Sequence, residues 1–90
     1  GSEMCIRDRF REPAFENEWL FDARSAAAAK NYIFHPRQQV RENPNGSLTV
    51  SFRAGGVLEL DRCLYGWGPH VKVIKPKNWK HMVREAKKHV

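Results

Sequence analysis

The sequence predicts an α+β fold: an antiparallel sheet in the order βαββαβ, with helices on one face and a further helix at the C-terminus. Three observations carry this expectation. In "SLTVSFR", residues 47 to 53, Leu48, Val50 and Phe52 fall on one side and Thr49, Ser51 and Arg53 on the other, the period of a half-buried antiparallel strand. Just ahead of it, Asn45-Gly46 is a hairpin signal, because the tight turn between two strands needs residues that accept positive φ. Two stretches of helical spacing, one from Val57 to Leu64 and one from Trp79 to Val90, then flank a short strand around Val71 and Val73.

The elements follow in order. "EWLFD", residues 18 to 22, reads as the first strand, after which Asp22 or Ser25 can cap "SAAAAKN" as a helix of about two turns. Its alanines suit close packing on a sheet. From Tyr32 to Glu42 the pattern is extended, interrupted by Pro36, whose missing N–H places it on an edge strand or at a strand entry. After the hairpin and the third strand, Val57, Leu60 and Leu64 share one helical face with Cys63 beside them, and Gly66 and Gly68 end that helix. "PHVKVIKP" is a strand between two prolines, with Val71 and Val73 on one side and Lys72 and Ile74 on the other. Residues 77 to 90 close the chain as a helix, with Trp79, Met82, Val83, Ala86 and Val90 at helical spacing. Right-handed crossovers put the first two helices on one face and make the first and third strands central. The second strand, which carries His35-Pro36, then lies at an edge. This is a ferredoxin-like arrangement.

Length and composition narrow the function. Ninety residues make one small domain, 41% apolar and 29% charged, without the run of about 18 apolar residues that would span a bilayer. No membrane partner and no signal peptide are expected. A net charge of +6 favours polyanions or an acidic protein patch, although solvated lysines on a small domain give the same figure. Gly1-Ser2 has the form of a tag scar, and residues 4 to 9, "MCIRDR", resemble the in-frame translation of a sequencing adapter. Residues 1–9 are therefore assigned to no fold, 10–15 to a linker and 16–90 to the domain. The alternative is that Met4 is a native start. With Cys5 set aside, Cys63 is expected to be a lone, reduced, buried thiol.

No residue pattern here points to catalysis. His35, His70, His81, His89 and Cys63 show neither C-x-x-C nor H-x-x-x-H spacing, so no metal and no cofactor are expected. A buried Cys63 is a poor nucleophile, and Glu42, Glu59 and Asp61 have no evident partner. Aromatic base stacking is also disfavoured, because the third strand turns Thr49, Ser51 and Arg53 outward, where an RNA recognition motif has its rings. Phosphate contact through Arg37, Arg41, Arg53 and Lys72 is open, since guanidinium groups bind phosphate oxygens in bidentate fashion. So is partner binding, through the edge of the second strand and an outer face with Leu20, Thr49, Ser51 and Ile74.

Four segments in order, "FDARSA", "HPRQ", "NGSLTVSF" and "LYGWGPHVKVIKP", resemble the C-terminal extension of WYL-domain transcriptional regulators, the module called WCX. The resemblance runs from about Trp19 to Val83. Trp67 stands where the family often has phenylalanine. Membership would imply a cytoplasmic bacterial regulator with a winged-helix DNA-binding domain, a WYL sensor domain and this non-enzymatic module last. It would help to form a homodimer, contact the upstream WYL domain and line an effector site for a ligand or nucleic acid. Neither a helix-turn-helix nor a Trp-Tyr-Leu motif occurs in this chain, so operator reading is assigned to none of its residues. The candidate effector or nucleic-acid contacts are His35, Arg37, Gln38, Arg41 and Arg53. The alternative is an independent basic module that binds single-stranded nucleic acid through phosphate contacts.

Overall fold

A computed structural model of the chain describes residues 13–89, so the readings of residues 1–9 and of 10–12 lie outside the described residues. The chain runs β1 (Phe15–Phe21), α1 (Ala26–Lys30), β2 (Gln39–Glu42), β3 (Leu48–Ala54), α2 (Val57–Trp67), a 3-10 turn (Gly68–His70), β4 (Val71–Lys75) and α3 (Trp79–Lys87). The four strands form one antiparallel sheet in the order β2-β3-β1-β4. β1 and β3 are central and β2 is at an edge, as the crossover argument requires.

Several boundaries differ from the sequence expectation. β1 begins at Phe15 and not at Glu18, because Phe15, Glu16 and Asn17 continue the ladder opposite Ala54, Arg53 and Phe52. The second strand shrinks from the expected 32–42 to Gln39–Glu42, since the residues before it fold into a turn. α1 is a single short helix of five residues. Gly66 stays inside α2, and Gly68 alone ends it at φ 64, its N–H donating to the carbonyls of Leu64 and Tyr65. Glycine reaches that left-handed conformation without the Cβ clash other residues meet.

The hairpin signal holds, with a longer loop than the Asn-Gly pair alone implies. The Gly46 N–H donates to the Asn43 carbonyl and the Asn43 N–H to that of Ser47. Asn45 Oδ1 accepts from both the N–H and the hydroxyl of Ser47. Gly46 has φ 88 and faces Ala23, so an added Cβ would meet the Ala23 Cβ at 3.4 Å.

The core lies on one face of the sheet. Trp19 and Phe21 of β1 and Leu48, Val50, Phe52 and Ala54 of β3 pack with Ala29 of α1, Leu60, Cys63 and Leu64 of α2, and Trp79 of α3. Both crossover helices therefore bury their apolar residues against the same side. Cys63 is buried but disulfide-bonded, which overturns the free thiol expected.

The start of the first crossover is tied to the end of the second. The Asp22 N–H donates to the His70 carbonyl at 3.0 Å, and Asp22 Oδ2 lies 2.9 Å from His70 Nδ1. The other carboxylate oxygen, Oδ1, accepts from the Ser25 N–H at 3.0 Å, opening the turn into α1. The hydrogen bond to His70 holds the Asp22 carboxyl below its ordinary value of 3.8, opposed by desolvation and aided to a lesser degree by the hydrogen bonds to Ser25.

A carboxylate depressed in the folded state contributes stability that is present above its unfolded value and lost as pH falls through the folded one. Wild type should therefore lose stability on acidification from about pH 4 downward more steeply than Asp22→Asn, and the two should converge at the acid end. Urea unfolding across that range checks this, and identical slopes for both proteins would remove Asp22 from the account.

Candidate functional site

The approach to β2 is built by one side chain. Gln38 turns back over its own loop, so that its Oε1 accepts from the Phe34 N–H at 2.7 Å and the His35 N–H at 3.2 Å, while Nε2 donates to the Tyr32 carbonyl at 2.9 Å. The Gln38 N–H closes the turn on the His35 carbonyl. Phe34, fully buried, packs against Trp19, Phe21, Tyr32 and Trp67 at centroid distances of 4.7 to 5.6 Å. Trp67 thus fills the place the resemblance gave to phenylalanine, and its larger ring also reaches Phe21.

His35 is 7% exposed and stacks on Phe52 at 5.8 Å with the rings nearly parallel. Its Nδ1 accepts from the Arg37 N–H at 3.1 Å. His35 and Gln38 therefore spend hydrogen-bonding atoms inside the turn, whereas the Arg37 side chain is exposed. Pro36 sits in this turn ahead of β2, where a missing N–H costs no ladder bond.

Opposite the helices, the sheet presents a second face. Its residues follow from the register: Gln39 and Arg41 of β2 lie beside Ser51 and Thr49 of β3, and these beside Glu18 and Leu20 of β1, with Arg53 beside Glu16. On β4, Lys72 pairs with Leu20, and a bulge skips Ile74 so that Lys75 pairs with Glu18. The bulge turns Lys75 toward the open face, against simple alternation.

Two shallow hollows lie on this face. One, of about 300 Å³, is lined by Glu16, Glu18, Arg37, Gln39, Ser51 and Arg53 among others. The second, of about 440 Å³, includes Glu18, Leu20, Arg41, Thr49 and Ile74.

The five residues singled out from the sequence thus separate. Arg37 and Arg53 border the first hollow and Arg41 the second, while His35 and Gln38 form the turn that carries Arg37. Arg53 donates to the Ala14 carbonyl at 3.0 Å and Arg41 Nε to Asn43 Oδ1 at 3.3 Å. Arg37 and Arg41, four residues apart, stand on a turn and a strand, not on one extended strand. Sequence reasoning missed Glu16, Glu18 and Lys75. The signal for the glutamates was the alternation in "FENEWLF", hidden by starting the strand at Glu18; Lys75 depends on the bulge and had no sequence signal.

Removing the Gln38 side chain leaves two backbone N–H groups and a carbonyl without their partner at the edge of the core. Gln38→Ala should cost about 2–4 kcal/mol, and Gln38→Glu less, since a carboxylate still accepts from both N–H groups. Chemical denaturation measures both, and a loss for the alanine variant within about 0.5 kcal/mol would show the turn to be held by other means.

Among the described residues no group of three or more His, Cys, Asp or Glu side chains is placed to hold a metal ion, and no helix is long and apolar enough to cross a membrane. No curated protein matches the chain. The family model of the WCX domain matches residues 17–89, which takes in all four strands but the first two residues of β1, the Gln38 turn and the open face. WCX domains are non-catalytic regulatory modules, typically found at the C-terminus of WYL-domain regulators. From its strand order to its "HPRQ" turn, this chain belongs to the WCX domain family.

Proposed function

We propose that the chain is the regulatory module of a WYL-type bacterial transcriptional regulator acting in the cytoplasm, and that its open sheet face is the working surface. That face, with the exposed edge of β2, meets a second copy and the upstream WYL domain. Its arginines line the effector site, for a ligand or nucleic acid bearing phosphate. The observation that carries this reading is the placement of Arg37, Arg41 and Arg53 around two adjoining hollows on the side of the sheet away from the core. His35 and Gln38 serve the same site from beneath, by fixing the backbone from which Arg37 projects.

Guanidinium groups offer phosphate a planar pair of donors, and such charge-assisted bonds are about twice as strong as neutral ones. Exposed cations that meet phosphate release counterions, so binding must weaken as salt rises. Among the described residues the outward positions of this face, Glu16, Glu18, Leu20, Thr49, Ser51 and Arg53, carry no aromatic ring, and Phe52 on the lining of the first hollow is buried, so affinity has to come from charge and hydrogen bonds and not from stacking.

The test pairs mass in solution with titration of a labelled single-stranded oligonucleotide at two salt concentrations. A dimer that binds less tightly at the higher salt is expected, with affinity at the lower salt reduced about tenfold or more in Arg37→Ala/Arg53→Ala. A monomer that binds would make the chain an independent single-strand-binding module. A monomer without binding at either salt would overturn the proposal altogether.

A further inference from the structure

Glu18 is unexplained by a face that only holds phosphate. It stands half-buried in the middle of the open face and borders both hollows, where its charge repels the ligand the arginines attract. A carboxylate among cations ordinarily pairs with one of them, yet the cations around Glu18 are directed elsewhere. Lys75, its cross-strand neighbour, reaches Glu16 at 3.8 Å. Arg53 donates to the Ala14 carbonyl and Arg41 to Asn43. Among the described residues, neither the Glu18 carboxylate nor the Arg37 guanidinium has a hydrogen bond or an ion pair, although both line the same hollow of about 300 Å³. The site therefore holds an unpaired acceptor pair and an unpaired donor fork facing one space.

A ligand that satisfies both must carry an anion at one end and two adjacent N–H donors at the other. We propose that the hollow takes a guanine base attached to phosphate, with Glu18 accepting from the base and Arg37 binding the phosphate. The chemistry of the Watson–Crick edges singles out guanine. Its N1–H and N2–H lie side by side and match the two oxygens of a carboxylate. Adenine and cytosine place one amino group next to a ring-nitrogen acceptor, which would face a carboxylate lone pair. Thymine and uracil place one N–H between two carbonyls. Ser51 and Gln39, on the lining of the same hollow, supply further polar contacts to base or sugar. This inference rests on the proposed phosphate-binding role of the open face and adds base selectivity to it.

The experiment uses labelled oligothymidylate strands carrying one central dG, dA or dC, with GMP and AMP as competitors, on wild type and Glu18→Gln. Wild type should prefer the dG strand by about tenfold. In Glu18→Gln the affinity for dG should fall to that of the other strands, while the others should bind about two- to threefold more tightly because the repulsion is gone. That crossing of effects is one a merely structural role for Glu18 would not produce. Displacement by GMP and not AMP assigns the site to free nucleotide as well as strand, and displacement only by the dG strand assigns it to strands; both support the inference. Equal affinity for all strands, or a dG preference that survives in Glu18→Gln, overturns base reading and leaves the phosphate role standing. Absence of binding by every strand overturns both.

Discussion

The three hydrogen bonds of the Gln38 side chain are the constraint on which the rest of the structure turns. They capture the N–H groups of Phe34 and His35 and the carbonyl of Tyr32, backbone groups that an extended strand would have offered to a neighbour. Burying them unpaired would cost about 1–3 kcal/mol each. With that cost removed, the chain can break its extended course before β2 and send Phe34 inward, where it meets four other rings. The aromatic ring buried there contributes stability of the order lost in Phe→Ala core substitutions, about 3–5 kcal/mol. The same reversal lifts Arg37 onto the opposite face. One amide side chain thus allocates a ring to the core and a cation to the surface.

The sheet uses its two faces differently, and the difference is written in the register. Trp19 lies opposite Val50 and Phe21 opposite Leu48 on the buried side, while Glu18 lies opposite Ser51 and Leu20 opposite Thr49 on the other. On the inner face two buried polar atoms, Asn17 Oδ1 and Trp19 Nε1, make no hydrogen bond. Each such group is destabilising, and the surrounding aromatic contacts of Trp19 with Phe34 and Phe52 work against that loss. At the far end of β1, Asp22 and His70 join the two crossovers outside the core, where the pairing sets geometry more than stability.

Much of this was legible in the sequence, and the parts that were not have specific causes. Alternation in "SLTVSFR" placed β3 correctly, and the strand order followed from crossover handedness together with Pro36. Periodicity could not show the turn at 32–38, because the Phe34 and His35 N–H groups and the Tyr32 carbonyl are paired with the Gln38 side chain and not with a strand. The candidate site was half visible. Arg37, Arg41 and Arg53 could be assigned to a surface from their charge, but the hollow they share with Glu16, Glu18 and Lys75 arises from the β1–β3 register and the bulge at Ile74. That Cys63 is disulfide-bonded could not be read from the helical spacing around it.

Arg37 also links the surface to the core. Its N–H is held by His35 Nδ1, His35 stacks on Phe52, and Phe52 packs on Trp19. The backbone of Arg37 is therefore fixed before any ligand arrives, and only the side chain must be ordered on binding. Fixing a residue's backbone costs about 1–2 kcal/mol, so a contact made from a pre-set backbone keeps that much of its interaction energy. Of Arg37, Arg41 and Arg53, Arg37 thus combines a guanidinium without a hydrogen bond among the described residues with a backbone that the turn already holds, so ordering it costs side-chain freedom alone.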